Sequence, residues 1–383
     1  MATFFISLVF FLCFLHSTYA LTSPSDISAL KAFKASVKPS SIPTWSCLAS
    51  WDFAAADPCA SPRRTHFTCG LTCTPDSKRV TQITLDPVGY SGTLTPLVSQ
   101  LTQLATLDLA DNYFYGIIPF SISSLVNLQS LTLRSNKFSG SVPSSITKLK
   151  LLEALDLSHN SLSGFLPSAM NWMSGLRRLD LSYNQLKGSI PKLPPNLLEL
   201  ALKRNSLSGP LSKSSFDGST QLEVIELSEN SFSGTLQSWF FLLPSIQQVN
   251  LANNSLTGVE ISSPTAGQSD LVAVDLGFNR IEGYVPVNFA AYPLLSSLTL
   301  RYNRLRGKIP LVLAQKKSLK RLFLDGNFLI GQPPASLFGG QAPVSGSLGD
   351  NCLWGCPASS QLCLPTQKPS SICKQAYGGK PKS

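Results

Sequence analysis

Residues 107–116 read Leu-Asp-Leu-Ala-Asp-Asn-Tyr-Phe-Tyr-Gly, and the same frame returns at 131–140 as Leu-Thr-Leu-Arg-Ser-Asn-Lys-Phe-Ser-Gly. In both segments the asparagine follows the second leucine by three residues and precedes the glycine by four. The frame recurs about every 24 residues along most of the chain. Its asparagines are Asn112, Asn136, Asn160, Asn184, Asn205, Asn230, Asn254, Asn279, Asn303 and Asn327. A fixed period of this length predicts a solenoid of stacked coils.

The Leu-x-Leu part of each frame predicts a short strand, because apolar and polar side chains alternate there. An earlier unit at 83–85 keeps its glycine, Gly92, but has Val88 in the asparagine position, which gives about eleven repeats. We expect the strands to stack into one parallel sheet, and ten steps of ~4.8 Å give a face ~48 Å long. No single repeat can bury its own apolar side, so neighbouring coils must cover one another.

The asparagine and the glycine of the frame predict structural roles. An asparagine amide both donates and accepts hydrogen bonds, so a column of asparagines can satisfy backbone groups where each chain leaves its strand. The glycine allows a sharp turn or a close approach without a Cβ clash.

Apolar-proline pairs follow several of the glycines, including Ile118-Pro119 and Val142-Pro143. The extended motif LxLxxNxLxGx(I/V/L)P resembles the plant-type extracellular leucine-rich repeat family, which includes receptor ectodomains and polygalacturonase-inhibiting proteins. The resemblance covers roughly residues 24–356. It implies a right-handed α/β superhelix with a parallel β-sheet on its concave face, capped at both ends, that binds ligands in extracellular signalling or plant defence.

The flanks also resemble that family. Residues 25–37 are similar to its N-terminal cap helix, with Ser25 or Asp26 as N-cap, and Ile27, Leu30, Phe33 and Val37 fall on one helical face. We divide the chain into a signal peptide at 1–20, an N-terminal cap at 21–79, leucine-rich repeats at 80–340, a C-terminal cap at 341–373 and a flexible basic tail at 374–383.

Export is predicted from the first residues and from the cysteines. An uncharged apolar run ends in small residues near Ala20, as a signal peptide does, and it is too short for a membrane span. We therefore expect a secreted protein in the extracellular space or cell wall. The eight cysteines that follow predict disulfides in two caps rather than a zinc site, and each set of four leaves three pairings open. They are Cys47, Cys59, Cys69, Cys73, Cys352, Cys356, Cys363 and Cys373.

The formal net charge of +10 predicts an anionic neighbour. Nucleic acid and an acidic wall polysaccharide such as pectate both fit this charge, and export favours pectate. No metal or other cofactor is predicted.

The frame also predicts which side chains face the concave side: those six, four, two and one residues before each asparagine. At the fourth position a column of acids recurs, which could receive a cationic ligand or simply form a solvated face. Those acids are Asp108, Asp156, Asp180, Glu226 and Asp275. Aromatic and arginine side chains typical of binding hot spots occupy other exposed positions. Toward the C-terminal half they are Phe278, Arg301, Tyr302, Arg321 and Phe323, and further up the chain they are Arg178, Tyr183, Lys203 and Arg204.

Two further features bear on the ligand. The resemblance implies an Arg-x-Arg pair for clamping a peptide carboxylate, but no strand has arginines at both the sixth and fourth positions, and Arg304 and Arg306 follow the asparagine instead. One glycosylation sequon, Asn253-Asn254-Ser255, lies beside the asparagine column.

The sequence argues against an enzyme. Only His66 and His159 follow the predicted signal peptide, and the acidic residues occupy positions that the repeat itself fills. We predict a non-catalytic binding protein whose concave face binds an extracellular peptide, protein or cell-wall ligand, with a receptor kinase or a wall-degrading enzyme as candidate partners. Two alternatives are an inhibitor of microbial polygalacturonase-type enzymes and a wall protein held on pectate by charge.

Overall fold

We analysed a computed structural model, which describes residues 22–54, 57–59, 70–265, 268–339, 344–357 and 359–378. The predicted signal peptide and Cys69 lie outside these residues. Helix α1 (Pro24–Ala35) begins the described chain, and its N-cap is Ser23, which makes no side-chain capping bond. The predicted N-cap at Ser25 or Asp26 is therefore wrong: the fully buried Asp26 accepts hydrogen bonds from Arg79 Nε at 3.1 Å and Val80 N at 2.8 Å. The Asp26 side chain thus bonds residues distant in the sequence, whereas local spacing had assigned it to capping the helix.

The predicted repeat sheet is confirmed. Among the described residues it has thirteen strands, all parallel except the first, which pairs antiparallel with the second. Each three-residue strand from Thr106–Asp108 to Arg321–Phe323 buries its central residue, and most turn both flanking side chains outward. The strands are β1 (Gly70–Cys73), β2 (Val80–Thr84), β4 (Thr106–Asp108), β6 (Ser130–Thr132), β8 (Ala154–Asp156), β10 (Arg178–Asp180), β12 (Glu199–Ala201), β14 (Val224–Glu226), β16 (Gln248–Asn250), β18 (Ala273–Asp275), β20 (Ser297–Thr299), β22 (Arg321–Phe323) and β24 (Ser345–Ser347).

Two lateral sheets, which the repeat pattern did not predict, follow the asparagine column. Residues that follow the asparagines form further parallel strands, and in most of these strands the second residue is buried between more exposed neighbours. The eight-stranded sheet comprises β3 (Ser91–Thr93), β5 (Tyr113–Ile117), β7 (Lys137–Ser141), β9 (Ser161–Phe165), β11 (Gln185–Gly188), β13 (Ser206–Gly209), β15 (Ser231–Leu236) and β17 (Ser255–Val259). The four-stranded sheet comprises β19 (Glu282–Tyr284), β21 (Arg304–Gly307), β23 (Phe328–Gly331) and β25 (Cys352–Leu353).

Short helical turns close the outer side of the coils, where proline sets φ at several starts. The α-helices after α1 are α2 (Lys213–Phe216), α3 (Leu311–Ala314) and α4 (Ser370–Ala376). The 3-10 turns in the described chain are Pro39–Ser41, Leu48–Ser50, Pro96–Gln100, Phe120–Ser124, Ser144–Lys148, Met170–Trp172, Ser238–Leu242, Val287–Ala291, Ala335–Leu337 and Gln361–Cys363. Between sheet and turns, one leucine-rich core runs from α1 to Leu353.

Each asparagine of the column links its own coil to the preceding one. Asn303 illustrates this: its Nδ2 donates to Leu276 O at 2.9 Å and Leu300 O at 3.1 Å, and its Oδ1 accepts from Ile281 N at 2.9 Å. The column continues one repeat beyond Asn327, because the fully buried Asn351 makes the same set of hydrogen bonds. Counting 24 residues on from Asn327 would have found it.

Disulfides tie down both ends. Cys59 bonds Cys73 in the N-terminal region, where Cys47 is also disulfide-bonded. At the other end Cys352 bonds Cys373 and Cys356 bonds Cys363. Across the described residues no helix is both long and apolar enough to cross a membrane.

The chain stays ordered past residue 374, where the sequence predicted a tail. Helix α4 includes Lys374, and the hydroxyl of Tyr377 accepts a hydrogen bond from Gly307 N at 3.0 Å and donates one to Phe328 O at 2.7 Å. The predicted boundary therefore falls inside α4, while 379–383 lie outside the described residues.

Candidate ligand-binding face

The acidic residues of the repeat form one line across the concave sheet. Strand register places Asp156 beside Asp180, with Asp108 two strands before Asp156, and places Glu226 and Asp275 on either side of Asn250. Each carboxylate accepts a hydrogen bond from the backbone N–H two residues later, at 2.8–3.0 Å. The acids therefore fix the end of each strand with one oxygen, whatever the other oxygen contacts.

Burial shifts the ionisation of three of these acids. It raises the pKa of the Asp108, Asp180 and Asp275 carboxyls above the ordinary value, although the backbone hydrogen bond to each partly offsets the rise. A raised pKa in the folded state means that the folded protein holds the proton more tightly than the unfolded chain does. The ionised carboxylates therefore cost stability at neutral pH, and this cost vanishes as the pH falls below both pKa values.

At pH 7 we expect the free energy of unfolding of Asp275→Asn to lie within about 0.5 kcal/mol of the native value or above it. An asparagine can still accept from Gly277 N, as Asn250 accepts from Ala252 N at 3.1 Å in the preceding strand. Any advantage should disappear near pH 3, where the native carboxyl is protonated. Asp275→Leu, which leaves the buried Gly277 N–H unpaired, should cost about 1–3 kcal/mol. Urea unfolding across the pH range tests this, and an advantage that grew toward pH 3 would contradict it.

The predicted aromatic and arginine residues near the C-terminal end come together around Arg301. Its guanidinium carbon lies 5.1 Å from the centre of the Phe323 ring, 5.7 Å from that of Tyr302 and 5.9 Å from that of Phe278. Its nitrogens donate to Asp325 Oδ2 at 2.8 and 3.2 Å. We call Phe278, Arg301, Tyr302 and Phe323 the aromatic cluster.

Asp325 is the residue of this region that the sequence analysis missed. Its side chain is 1% exposed, and its Oδ1 has no hydrogen-bond partner within the described chain. The signal was present, since Asp325 lies two residues before Asn327, a position the frame assigns to the concave side. Because Asp325 neutralises the charge of Arg301, a ligand would pack on the flat face of the guanidinium rather than pair with its charge.

The residue before each asparagine has an unusual backbone conformation. Phe278 and Tyr302 have φ values of 54° and 50°, in the left-handed region that bulky residues rarely adopt. The same conformation occurs in every repeat from Asp111 to Asp350, so the coil geometry imposes it. As a result these side chains stand in a column along one edge of the concave face, and the Phe278 and Tyr302 rings stack at 4.7 Å between centres.

The other predicted residues form a separate group nearer the N-terminus. Tyr183 stacks on His159 at 4.1 Å, with the Arg204 guanidinium 5.6 Å and the Lys203 amine 5.8 Å from its ring. Lys203 also pairs with Glu229 at 3.3 Å. Four strand spacings, about 19 Å, separate Tyr183 from Phe278. The structure therefore presents these residues as a second patch on the predicted face.

The remaining predicted arginines lie at the sixth position before asparagine. Arg178 and Arg321 are both exposed on their strands, and neither forms an ion pair with another residue in the described ranges. Arg321 is flanked by Ser297 and Ser345 in the neighbouring strands. Within the described ranges Arg321 is thus an unpaired cation beside the aromatic cluster. The same described residues contain no group of three His, Cys, Asp or Glu side chains placed to hold a metal ion.

Comparison with known proteins finds one matching family model and similarity to plant receptor proteins. Residues 102–162 and 139–186 match the leucine rich repeat family model. A putative receptor-like protein kinase of Arabidopsis thaliana is 35% identical over 102 residues, which are 27% of this chain and 9% of the kinase.

Solved structures align over far more of the chain. The crystal structure of PEPR1–AtPEP1 has 31% identity and a TM-score of 0.76, covering 86% of this chain and 45% of the other. The plant peptide hormone receptor RGFR1, in complex with RGF2, has 31% identity and a TM-score of 0.64, covering 69% of this chain and 42% of the other. The chain thus spans less than half the length of these receptor structures.

Proposed function

We propose, on the premise that this chain is a leucine-rich-repeat protein, that it is secreted and binds an extracellular peptide or protein ligand on its concave face. The similar PEPR1 and RGFR1 structures support a peptide ligand, because the latter is a peptide hormone receptor in complex with RGF2. Twelve spacings of ~4.8 Å make the thirteen-stranded face ~58 Å long, enough for an extended peptide of ~17 residues.

The observation that carries this proposal is the aromatic cluster. Phe278 and Tyr302 are 44% and 40% exposed, although large aromatic rings gain most from burial. The Arg301–Asp325 ion pair and the stacked rings hold the cluster in one arrangement before any ligand arrives. A preorganised aromatic surface loses little conformational entropy on binding, which is the usual character of a binding hot spot.

The charges around the cluster suggest the ligand's polarity. Arg321 is exposed and free for a carboxylate, whereas the line of acids begins at Asp275, two strands away on the sheet. We therefore expect a ligand that places an apolar side chain on the rings, an anionic group at Arg321 and a cationic group toward Asp275 and Glu226.

Replacing two ring residues tests the proposal. Tyr302→Ala/Phe323→Ala should reduce capture of a partner from extracellular fluid at least ~10-fold, because losing central hot-spot side chains typically costs 2 kcal/mol or more. The matched control is Phe120→Ala/Phe165→Ala, which removes two rings that are 77% and 65% exposed away from the concave sheet. Equal capture by the cluster variant and the control would reject the concave-face site.

The two alternative functions predict other results. An inhibitor would abolish polygalacturonase activity when titrated at equimolar amounts, with no need for a peptide. A protein held on pectate by its net charge of +10 would elute with moderate salt, since screening shortens the reach of charges to ~8 Å at physiological ionic strength.

A further inference from the structure

We propose that Asn253 carries an N-linked glycan whose first N-acetylglucosamine stacks on the free face of Phe278. The inference does not depend on any ligand of the concave face. It rests on where the sequon lies in the coil and on the side chains beside it.

The sequon Asn253-Asn254-Ser255 has its two asparagines in opposite environments. Asn254 belongs to the structural column and is buried, with its Nδ2 donating to Leu227 O at 3.1 Å and its Oδ1 accepting from Phe232 N at 2.9 Å. Asn253 precedes it at φ 53°, and its side chain is exposed at the edge of the concave face. The Asn254 side chain is thus occupied by hydrogen bonds within the coil, while the Asn253 amide side chain is available for a sugar.

Asn253 and Phe278 are neighbours in the same column. Asn253 N donates to Gly277 O at 2.9 Å and Asn254 N donates to Phe278 O at 3.2 Å, so the two coils are in register at this edge. Side chains in this column stack face to face where both are aromatic, at 4.1 Å for His159 and Tyr183. Phe278 uses one ring face for Tyr302, and the other face is turned toward the Asn253 side of the column.

A pyranose suits this position for two reasons. The ring face of phenylalanine carries partial negative charge, which attracts the C–H groups on one face of a sugar as it attracts other electropositive groups. The spacing between adjacent strands, ~4.8 Å, is also close to the 4.7 Å that separates the stacked rings of Phe278 and Tyr302. The first sugar on Asn253 would therefore extend the existing stack by one ring.

The attachment requires a lipid-diphosphate-linked oligosaccharide as co-reactant, supplied during export. The Asn253 amide nitrogen loses a proton and bonds to C1 of the sugar. The C1–O bond to the diphosphate breaks, and the lipid diphosphate leaves with the bonding electrons. No group of this protein is oxidised or reduced.

The glycan would limit the ligand surface at Phe278. Tyr302, Arg301 and Phe323 stay open toward the C-terminal end, which is why the capture variants above leave Phe278 unchanged. A ligand on the aromatic cluster would then approach from the Arg321 side.

The test uses the full chain secreted from a eukaryotic host that leaves high-mannose glycans. Peptide mass spectrometry should find the glycan on Asn253, and trimming with an endoglycosidase should leave one N-acetylglucosamine. The trimmed native protein should melt about 1–2 °C above Ser255→Ala, which lacks the sequon but keeps Asn253. In a Phe278→Ala background the same comparison should give no difference.

A matched control is Tyr183→Ala, which removes a ring from the same edge four coils away and should leave the glycan's 1–2 °C contribution intact. An unmodified Asn253 overturns the site itself. A modified Asn253 that stabilises the native and Phe278→Ala proteins equally overturns the stacking while leaving the capture experiment unaffected.

Discussion

Asn327→Ala is expected to lower the free energy of unfolding by about 3–5 kcal/mol. The side chain is fully buried, and it donates to Leu300 O at 2.9 Å and Leu324 O at 3.0 Å while accepting from Leu305 N at 2.9 Å. Alanine would leave these three backbone groups of two adjacent coils without partners and without access to water. Urea unfolding should show a lower midpoint.

Asn127→Ala is the matched control. Its side chain also bonds a neighbouring coil, at 2.9 Å to Thr102 O, but that bond is exposed to water. We expect a loss below about 1 kcal/mol, because water can replace an exposed hydrogen bond. Similar losses for the two variants would show that burial of the column contributes little.

Arg301→Ala is expected to cost about 2–4 kcal/mol, because it leaves the buried Asp325 carboxylate without its cation. Asp325 Oδ1 is already unpartnered within the described residues, so the carboxylate has no alternative donor there. The expected loss of stability is smaller than for a fully buried ion pair because the Arg301 side chain is 35% exposed. Chemical denaturation at pH 7 gives the measurement.

A second substitution separates the charge from the packing. Arg301→Ala/Asp325→Leu should recover most of the lost stability, because an apolar residue in place of an unpaired buried charge needs no partner. Arg321→Ala, at an exposed arginine in the next coil, should stay within about 0.5 kcal/mol of the native protein. If the double variant were no more stable than Arg301→Ala, the unpaired charge of Asp325 would not be the cause of the lost stability.

Much of the candidate binding face could be predicted from the sequence, although its internal contacts could not. The frame placed Phe278, Arg301, Tyr302 and Phe323 on neighbouring positions, and the structure brings them into one cluster. Tyr183, which the sequence analysis placed further up the chain, lies four strands away in a separate patch. Spacing along the chain gives the strand on which a residue lies, whereas contact between side chains depends on which partners share adjacent strands.

The acidic line shows the same division. Its positions follow from the repeat, but the bond from each carboxylate to a backbone N–H two residues later became evident only with the coil in place. That bond favours a structural role for one oxygen of each acid. Whether a ligand uses the other oxygen is what the binding experiments test.

By itself, the sequence determined the solenoid, its strands and its asparagine column. This was feasible because each coil contacts mainly its neighbours, so a pattern repeated every 24 residues carries the tertiary contacts with it. Only the tertiary structure decided the lateral sheets, the left-handed column before the asparagines, the burial of Asp26 and Asp325 and the docking of Tyr377. Each of these depends on a partner from another coil or from a cap, and such partners have no fixed spacing that a repeat could reveal.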